Sequence, residues 1–306
     1  MSETIHFTDE VEWPLTEKGR KQLLARTNMH SPTVYDPEIH HIDPLSLTPA
    51  LGDLQYTNTL DVLQRRVAIR AGGLPNHGAG IPCFGAGEIM QRWGVTTAEQ
   101  VAESVRADDP ALHLTRMRMW LYEQGYKLRP IFTDDPGQDF SRGPLPVAAA
   151  MDALPFHISP SAFAVKYYYG LARPQQIVER SLRGAIEAPH WFLDELNRMG
   201  VSLENFAGWF QYGFPPHPRF IAMHSAVARC ALSAFVFFDL DDRGLDAVNV
   251  FERNVAHGRD NGGVHTFDDS SEGLKGGTAA VKAVLPGIVE NLGGDAQMVR
   301  DLLELV

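Results

Sequence analysis

The chain has 306 residues, 44% hydrophobic and 21% charged, which is enough apolar side chain to bury a substantial core. A net charge of −11 argues against nucleic acid or an anionic membrane surface as the main partner, though not against a local cationic pocket. Cys83 and Cys230 are too few for a disulfide framework, and neither stands in a Cys-x-x-Cys or zinc-like spacing, so a reducing compartment is expected.

The N-terminal stretch MSETIHFTDEVEWPL is acidic where a secretory signal needs basic residues followed by an apolar run, so the expected location is cytoplasmic. The longest apolar run, 230-CALSAFVFF-238, falls far short of the roughly 20 residues a membrane span requires. Residues 1–50, with several prolines and little periodicity, read as an extended N-terminal arm. Residues 51–306 read as a single helical domain.

Helical patterning begins at 57-TNTLDVLQRRVAIRAGG-73, which closes on a glycine pair suited to a helix stop. The glycine-rich stretch 74–87 lacks both nucleotide-loop signatures and reads as a connector. Thr96 and Glu99 form a capping-box pattern for 97–107, and Asp109-Pro110 opens a helix reaching about Tyr126. After a Pro/Gly/Asp loop near 130–145, further helices are expected at 160–172, 174–186, 189–199, 224–239, 243–257, 268–282 and 285–305. Strand-like alternation is scarce, so the expected class is all-α: a helical bundle with long loops.

Three segments carry candidate chemistry. In 166-KYYYGLARP-174, Lys166 and Arg173 stand seven residues apart, which on one helix places both cations on one face. In 217-HPRFIAMHSAVA-228, His224 falls in the first turn of a strongly apolar helix. In 259-RDNGGVHTFDDSSEGLKGG-277, Arg259 and His265 flank Gly262-Gly263, and Asp269 follows His265 by four residues. A helix starting near His265 would then set the carboxylate beside the imidazole. Elsewhere His40-His41 has the wrong spacing for a helical metal pair, and Asp239, Asp241 and Asp242 lack the remaining ligands of a calcium loop. The aromatic group Trp191, Phe192, Trp209, Phe210 and Tyr212 reads as core.

Together the three segments resemble the vanadium-dependent haloperoxidases and their relatives, the type 2 phosphatidic acid phosphatases and bacterial acid phosphatases. That signature is Lys, six residues, Arg-Pro; then Pro-Ser-Gly-His; then Ser-Arg, five residues, His, three residues, Asp. The matching positions are Lys166, Arg173 and Pro174, then His224, then Arg259, His265 and Asp269. The stretch His217-Pro218-Arg219-Phe220-Ile221-Ala222-Met223-His224, with Gly263-Val264-His265 and Glu272-Gly273-Leu274-Lys275, is most similar to the bromoperoxidase branch.

The resemblance spans 166–277 and implies an oxyanion site holding vanadate, or phosphate in its place. It implies that Lys166, Arg173 and Arg259 neutralise the oxygens, with Met223 and Gly263 alongside. It further implies that His265 bonds the vanadium or phosphorus, that Asp269 steadies His265, and that His224 is the general acid/base. His217 and Ala222 would face the substrate pocket. The implied activity is oxidation of bromide by hydrogen peroxide, acting on a small-molecule substrate; a phosphoester hydrolase working through a phosphohistidine is the alternative. A third reading is a vanadate-independent enzyme that uses the cationic pocket for an anionic substrate. A homodimer is compatible with all of them. Ala222 and Met223 replace the hydroxyl donor and the glycine of Pro-Ser-Gly-His. Losing that charge-assisted hydrogen bond would cost on the order of 1.5–3 kcal/mol in oxyanion affinity, which predicts weakened or redirected activity.

Overall fold

A computed structural model of the chain describes residues 2–7, 33–70, 110–132, 145–206, 217–261 and 263–306. Among them the architecture is an all-α helical bundle without a β-sheet, and strand-like pairing is confined to the bridges His6–Leu171 and Leu128–Phe238. The expected capping box at Thr96, the connector 74–87 and Trp209, Phe210 and Tyr212 lie outside the described residues.

The helices are α1 (Asp53–Arg70), α2 (Pro110–Glu123), α3 (Leu145–Tyr169), α4 (Pro174–Leu182), α5 (His190–Arg198), α6 (Met223–Ala228), α7 (Leu232–Phe237), α8 (Asp242–Asn261), α9 (Phe267–Asn291) and α10 (Ala296–Leu303). Short 3-10 turns cover Pro44–Ser46 and Arg229–Ala231, the latter dividing the expected helix 224–239 into α6 and α7. No described helix is long and apolar enough to cross a membrane.

Two helices run through prolines that the sequence reads as breaks. Helix α3 begins at Leu145 rather than near 160 and contains Pro155 and Pro160. Each proline removes one backbone donor. Val147, Ala150, Met151, Leu154, Ile158, Ala162 and Val165 nevertheless recur at helical spacing on its buried side, and that apolar stripe keeps the helix whole. Helix α9 likewise carries Pro286 between Leu285 and Val289, both fully buried.

Helices α3, α6 and α9 surround the main core, into which α2, α7, α8 and α10 pack. A smaller core joins Ile5, Tyr56, Leu63, Ile177, Val178, Phe192 and Leu196, which places Phe192 inside as expected; Trp191 is 45% exposed. Buried Cys230 has its thiol pushed well above the ordinary range by desolvation, so it packs as a small apolar group.

Helix α9 approaches α6 along a glycine face. A Cβ on Gly273 would lie 2.9 Å from Ser225 Cβ, and one on Gly277 would lie 2.8 Å from Ala226 Cα and closer still to its carbonyl oxygen. Neither backbone can yield, so only glycine at these positions lets the two helices meet.

The described parts of residues 1–50 run along this body without forming an α-helix. Phe7 N–H donates to Gly170 O (2.7 Å), and Ala172 N–H donates to Ile5 O (3.1 Å). His41 N–H donates to Ser161 Oγ at 2.9 Å, and Tyr169 Oη donates to Pro44 O at 2.8 Å.

Candidate functional site

Lys166 and Arg173 do not share a helix. Helix α3 stops at Tyr169 because Gly170 turns the chain at φ +59°, a conformation favourable to glycine. The chain then runs extended through Leu171, and Arg173 becomes the N-cap residue of α4. Pro174 opens that helix at its first position, where the expected segment 174–186 begins. Both cations are nevertheless fully buried and converge on the same loop, residues 217–222.

This loop is held largely through its backbone. Lys166 Nζ donates to Arg219 O at 2.8 Å and also to Ile221 O. Arg173 Nε donates to His217 O (3.0 Å), and Arg173 Nη2 donates to Pro218 O (3.2 Å). The N–H of Arg219 reaches Leu171 O, and that of Ala222 reaches the backbone carbonyl of Asp269, each at 3.0 Å. Buried carbonyls need donors, and here two cations supply them.

Arg173 also governs two imidazoles. Its Nη1 lies 2.5 Å from Val264 O and 3.1 Å from His265 Nε2, and its Nη2 lies 3.0 Å from His217 Nδ1. A guanidinium only donates, so each contacted imidazole nitrogen is an acceptor. In the neutral rings the proton accordingly sits on Nδ1 of His265 and on Nε2 of His217. The five N–H groups of Arg173 match these five contacts. His217 is further packed edge-on against Phe163, with ring centroids 5.0 Å apart.

On its Nδ1 side, His265 meets Asp269 Oδ2 at 3.4 Å. The sequence predicts this neighbour from an i,i+4 step within a helix, but His265 precedes the helix. Thr266 is the N-cap of α9 and Asp269 its third residue, in a reciprocal capping box. Thr266 N–H donates to Asp269 Oδ2 (3.0 Å), and Asp269 N–H donates to Thr266 Oγ1 (3.4 Å). The cap thus aims the carboxylate back toward the imidazole.

The other oxygen of Asp269 accepts from Arg219 Nη1 in a fully buried ion pair. Arg219 also reaches Thr266 Oγ1 at 3.2 Å and Ala50 O at 3.1 Å. It ties the end of the arm, the 217–222 loop and the start of α9 into one cluster, a role its place in the sequence does not announce. Gln175 is a second residue whose position emerges only in three dimensions. It is fully buried in the first turn of α4, and its side-chain amide donates to Gly263 O. Gly263 itself turns at φ +77° just before His265.

The remaining predicted residues belong to α6, its N-cap and α8. His224 is the second residue of α6 and is buried, and Ala222 is the fully buried N-cap of that helix. Met223 is half-buried, with its sulfur 3.9 Å from Ser159 Oγ. Arg259 belongs to α8 by its backbone, and its side chain lies outside the described residues. A second buried polar contact joins α8 to α9, where Ser270 Oγ donates to the Asp260 carboxylate.

The described residues contain no group of three or more His, Cys, Asp or Glu side chains able to hold a metal ion. A metal held as an oxyanion through one imidazole needs no such cluster. The acceptor nitrogen of His265 fits such a group, because its lone pair lies beside a guanidinium that can neutralise an attached oxygen. No protein-family model matches the chain, and no curated protein matches it.

Proposed function

We propose that the cluster around His265 binds a tetrahedral oxyanion and that the chain is an enzyme of the vanadium haloperoxidase and acid phosphatase type, closest to the bromoperoxidases. The observation that carries this reading is the orientation of His265: Nε2 is an acceptor 3.1 Å from a buried guanidinium, and Nδ1 is turned toward the carboxylate of Asp269. A ligand or nucleophile histidine requires that tautomer. The Arg173 N–H now on His265 Nε2 stands where the anion would enter. On binding, this N–H would turn to one of the anion's oxygens as the lone pair is taken up.

In this reading Lys166 and Arg259 add positive charge, Asp269 keeps the proton on Nδ1, and His224 passes a proton at the mouth of α6. Vanadate would supply oxidation of bromide by hydrogen peroxide. With phosphate in its place the same residues suit phosphoester hydrolysis through His265. Ala222 offers no hydroxyl to the anion, so the activity is expected to be weak or redirected.

The test is calorimetric titration of the protein with orthovanadate, followed by a bromide oxidation assay with peroxide. Wild-type protein should bind vanadate and His265→Ala should not. Absence of vanadate and phosphate binding in the wild type would overturn the reading.

A second reading has its own observation. All five N–H groups of Arg173 match protein acceptors, the pattern of a purely architectural knot. In that case Lys166→Ala, Arg173→Ala and His265→Ala lower stability and the wild type binds no oxyanion.

A further inference from the structure

The arm and α3 bring two histidines together. His41 on the arm lies beside His157 on α3, with ring centroids 6.0 Å apart and planes tilted at 53°. One buried side chain couples their backbones: His41 N–H donates to Ser161 Oγ, and that hydroxyl donates to His157 O, each at 2.9 Å. Ile42, fully buried in the main core, fixes the arm at the next residue. His40, the neighbour in sequence, is engaged elsewhere, since its Nδ1 accepts from Asp36 N–H at 2.9 Å and its ring stacks on Tyr35.

Neither imidazole of the pair makes a hydrogen bond or ion pair with its ring nitrogens among the described residues. His157 is exposed and His41 half-buried, so the pair lies within reach of a solute. Two neutral imidazoles side by side suit a borderline divalent metal ion, whereas an anion would require both rings to be protonated against their mutual repulsion. Such an ion stands about 2.0–2.1 Å from a ring nitrogen, hence about 3.2 Å from the ring centroid. Two rings on one ion therefore lie about 4.5–6.4 Å apart between cis and trans arrangements, and about 5 Å apart at the tetrahedral angle. The observed separation falls inside that range, and rotation of the exposed His157 side chain can shorten it.

We infer that His41 and His157 form a site for one divalent transition-metal ion, with water completing its coordination, and that the bound ion staples the arm to α3. The inference is independent of the oxyanion reading. The stapled arm ends at Ala50, whose carbonyl accepts from Arg219, so the ion would hold down the same segment that reaches the Asp269 pair.

The experiment is calorimetric titration of the full chain with zinc chloride at neutral pH, repeated on His41→Gln and His157→Gln. His190→Gln, at an exposed position of α5, serves as a control for scattered surface histidines. The wild type should bind one zinc ion at this site, and His41→Gln and His157→Gln should each weaken that binding at least about tenfold, because a single imidazole is left. His190→Gln should bind as the wild type does. Zinc should also raise the melting temperature of the wild type and of His190→Gln, but not of His157→Gln, whose circular dichroism should be unchanged. Magnesium, which prefers oxygen ligands, should alter neither measurement. Zinc affinity unchanged in His157→Gln overturns the inference, as does a wild type that binds zinc no more tightly than magnesium; the second outcome needs no variant to fold.

Discussion

The segment 217–228 is held on its two halves by different forces. Residues 217–222 are gripped by charge: Lys166 and Arg173 donate to their carbonyls, and Arg219 is paired with Asp269. Residues 222–228 are gripped by shape, because α6 lies directly on the glycine face of α9. The same helix, α9, serves both halves, with Asp269 at its first turn and Gly273 and Gly277 one and two turns later. In the polar half, removing one atom strands a buried charge; in the glycine half, adding one atom makes a clash. The two halves fail in opposite ways, and that difference can be measured.

The largest effect is expected from Asp269→Asn, which leaves the Arg219 guanidinium buried without its counter-charge. Denaturant titration should show a loss of about 3–5 kcal/mol. Pairing Arg219→Met with Asp269→Leu should recover much of that loss, since a buried ion pair exchanged for apolar side chains is often close to neutral. A double variant no better than either single one would show that the ion pair contributes more than charge balance.

Next comes the glycine half. Gly277→Ala should cost about 1–3 kcal/mol through overpacking against the Ala226 backbone. Gly287→Ala, in the same helix but exposed with nothing within 4 Å of its new methyl, should instead stabilise by up to about 1 kcal/mol. Equal melting temperatures for the two variants would mean that close approach to α6 is not what selects glycine.

Thr266→Ala probes the cap that joins the halves. It should cost about 1 kcal/mol and loosen Asp269 from His265, which the ring nitrogen shifts of His265 would register by NMR.

The smallest effect concerns the arm. His41 lies beside His157, with ring centroids 6.0 Å apart, and burial first, then His157 and His40, hold its titration below the ordinary imidazole value. The unfolded chain therefore takes up this proton first as the pH falls. Stability should decline as the pH passes below about 6.5 and level off beneath the lowered folded value. Melting curves of His41→Gln should show a shallower decline over that window than the wild type.

Much of the helical plan was legible in the residues. The start of α2 at Pro110, the start of α4 at Pro174 and the limits of α5 follow from apolar periodicity and capping chemistry. The prolines of α3 and α9 misled, because local propensity marks a break where burial of a long apolar stripe outweighs one lost backbone bond. In the candidate site, Lys166, Arg173, His265 and Asp269 were legible, yet the routes that bring them together were not. Gly170 separates the two cations into different elements, and a capping box, not a helical face, sets Asp269 beside His265. Arg219 and Gln175 were not among the predicted site residues, since nothing local in the sequence distinguishes them.

Local chemistry in the chain decides which segments become helices, where caps and left-handed turns fall, and which residues can carry charge or protons. Only packing decides which carbonyls the buried cations serve, which carboxylate Arg219 pairs with and which way the imidazole of His265 faces. Those choices depend on desolvation and on distances between segments far apart in the chain, and both arise only when α3, α6 and α9 close on one another.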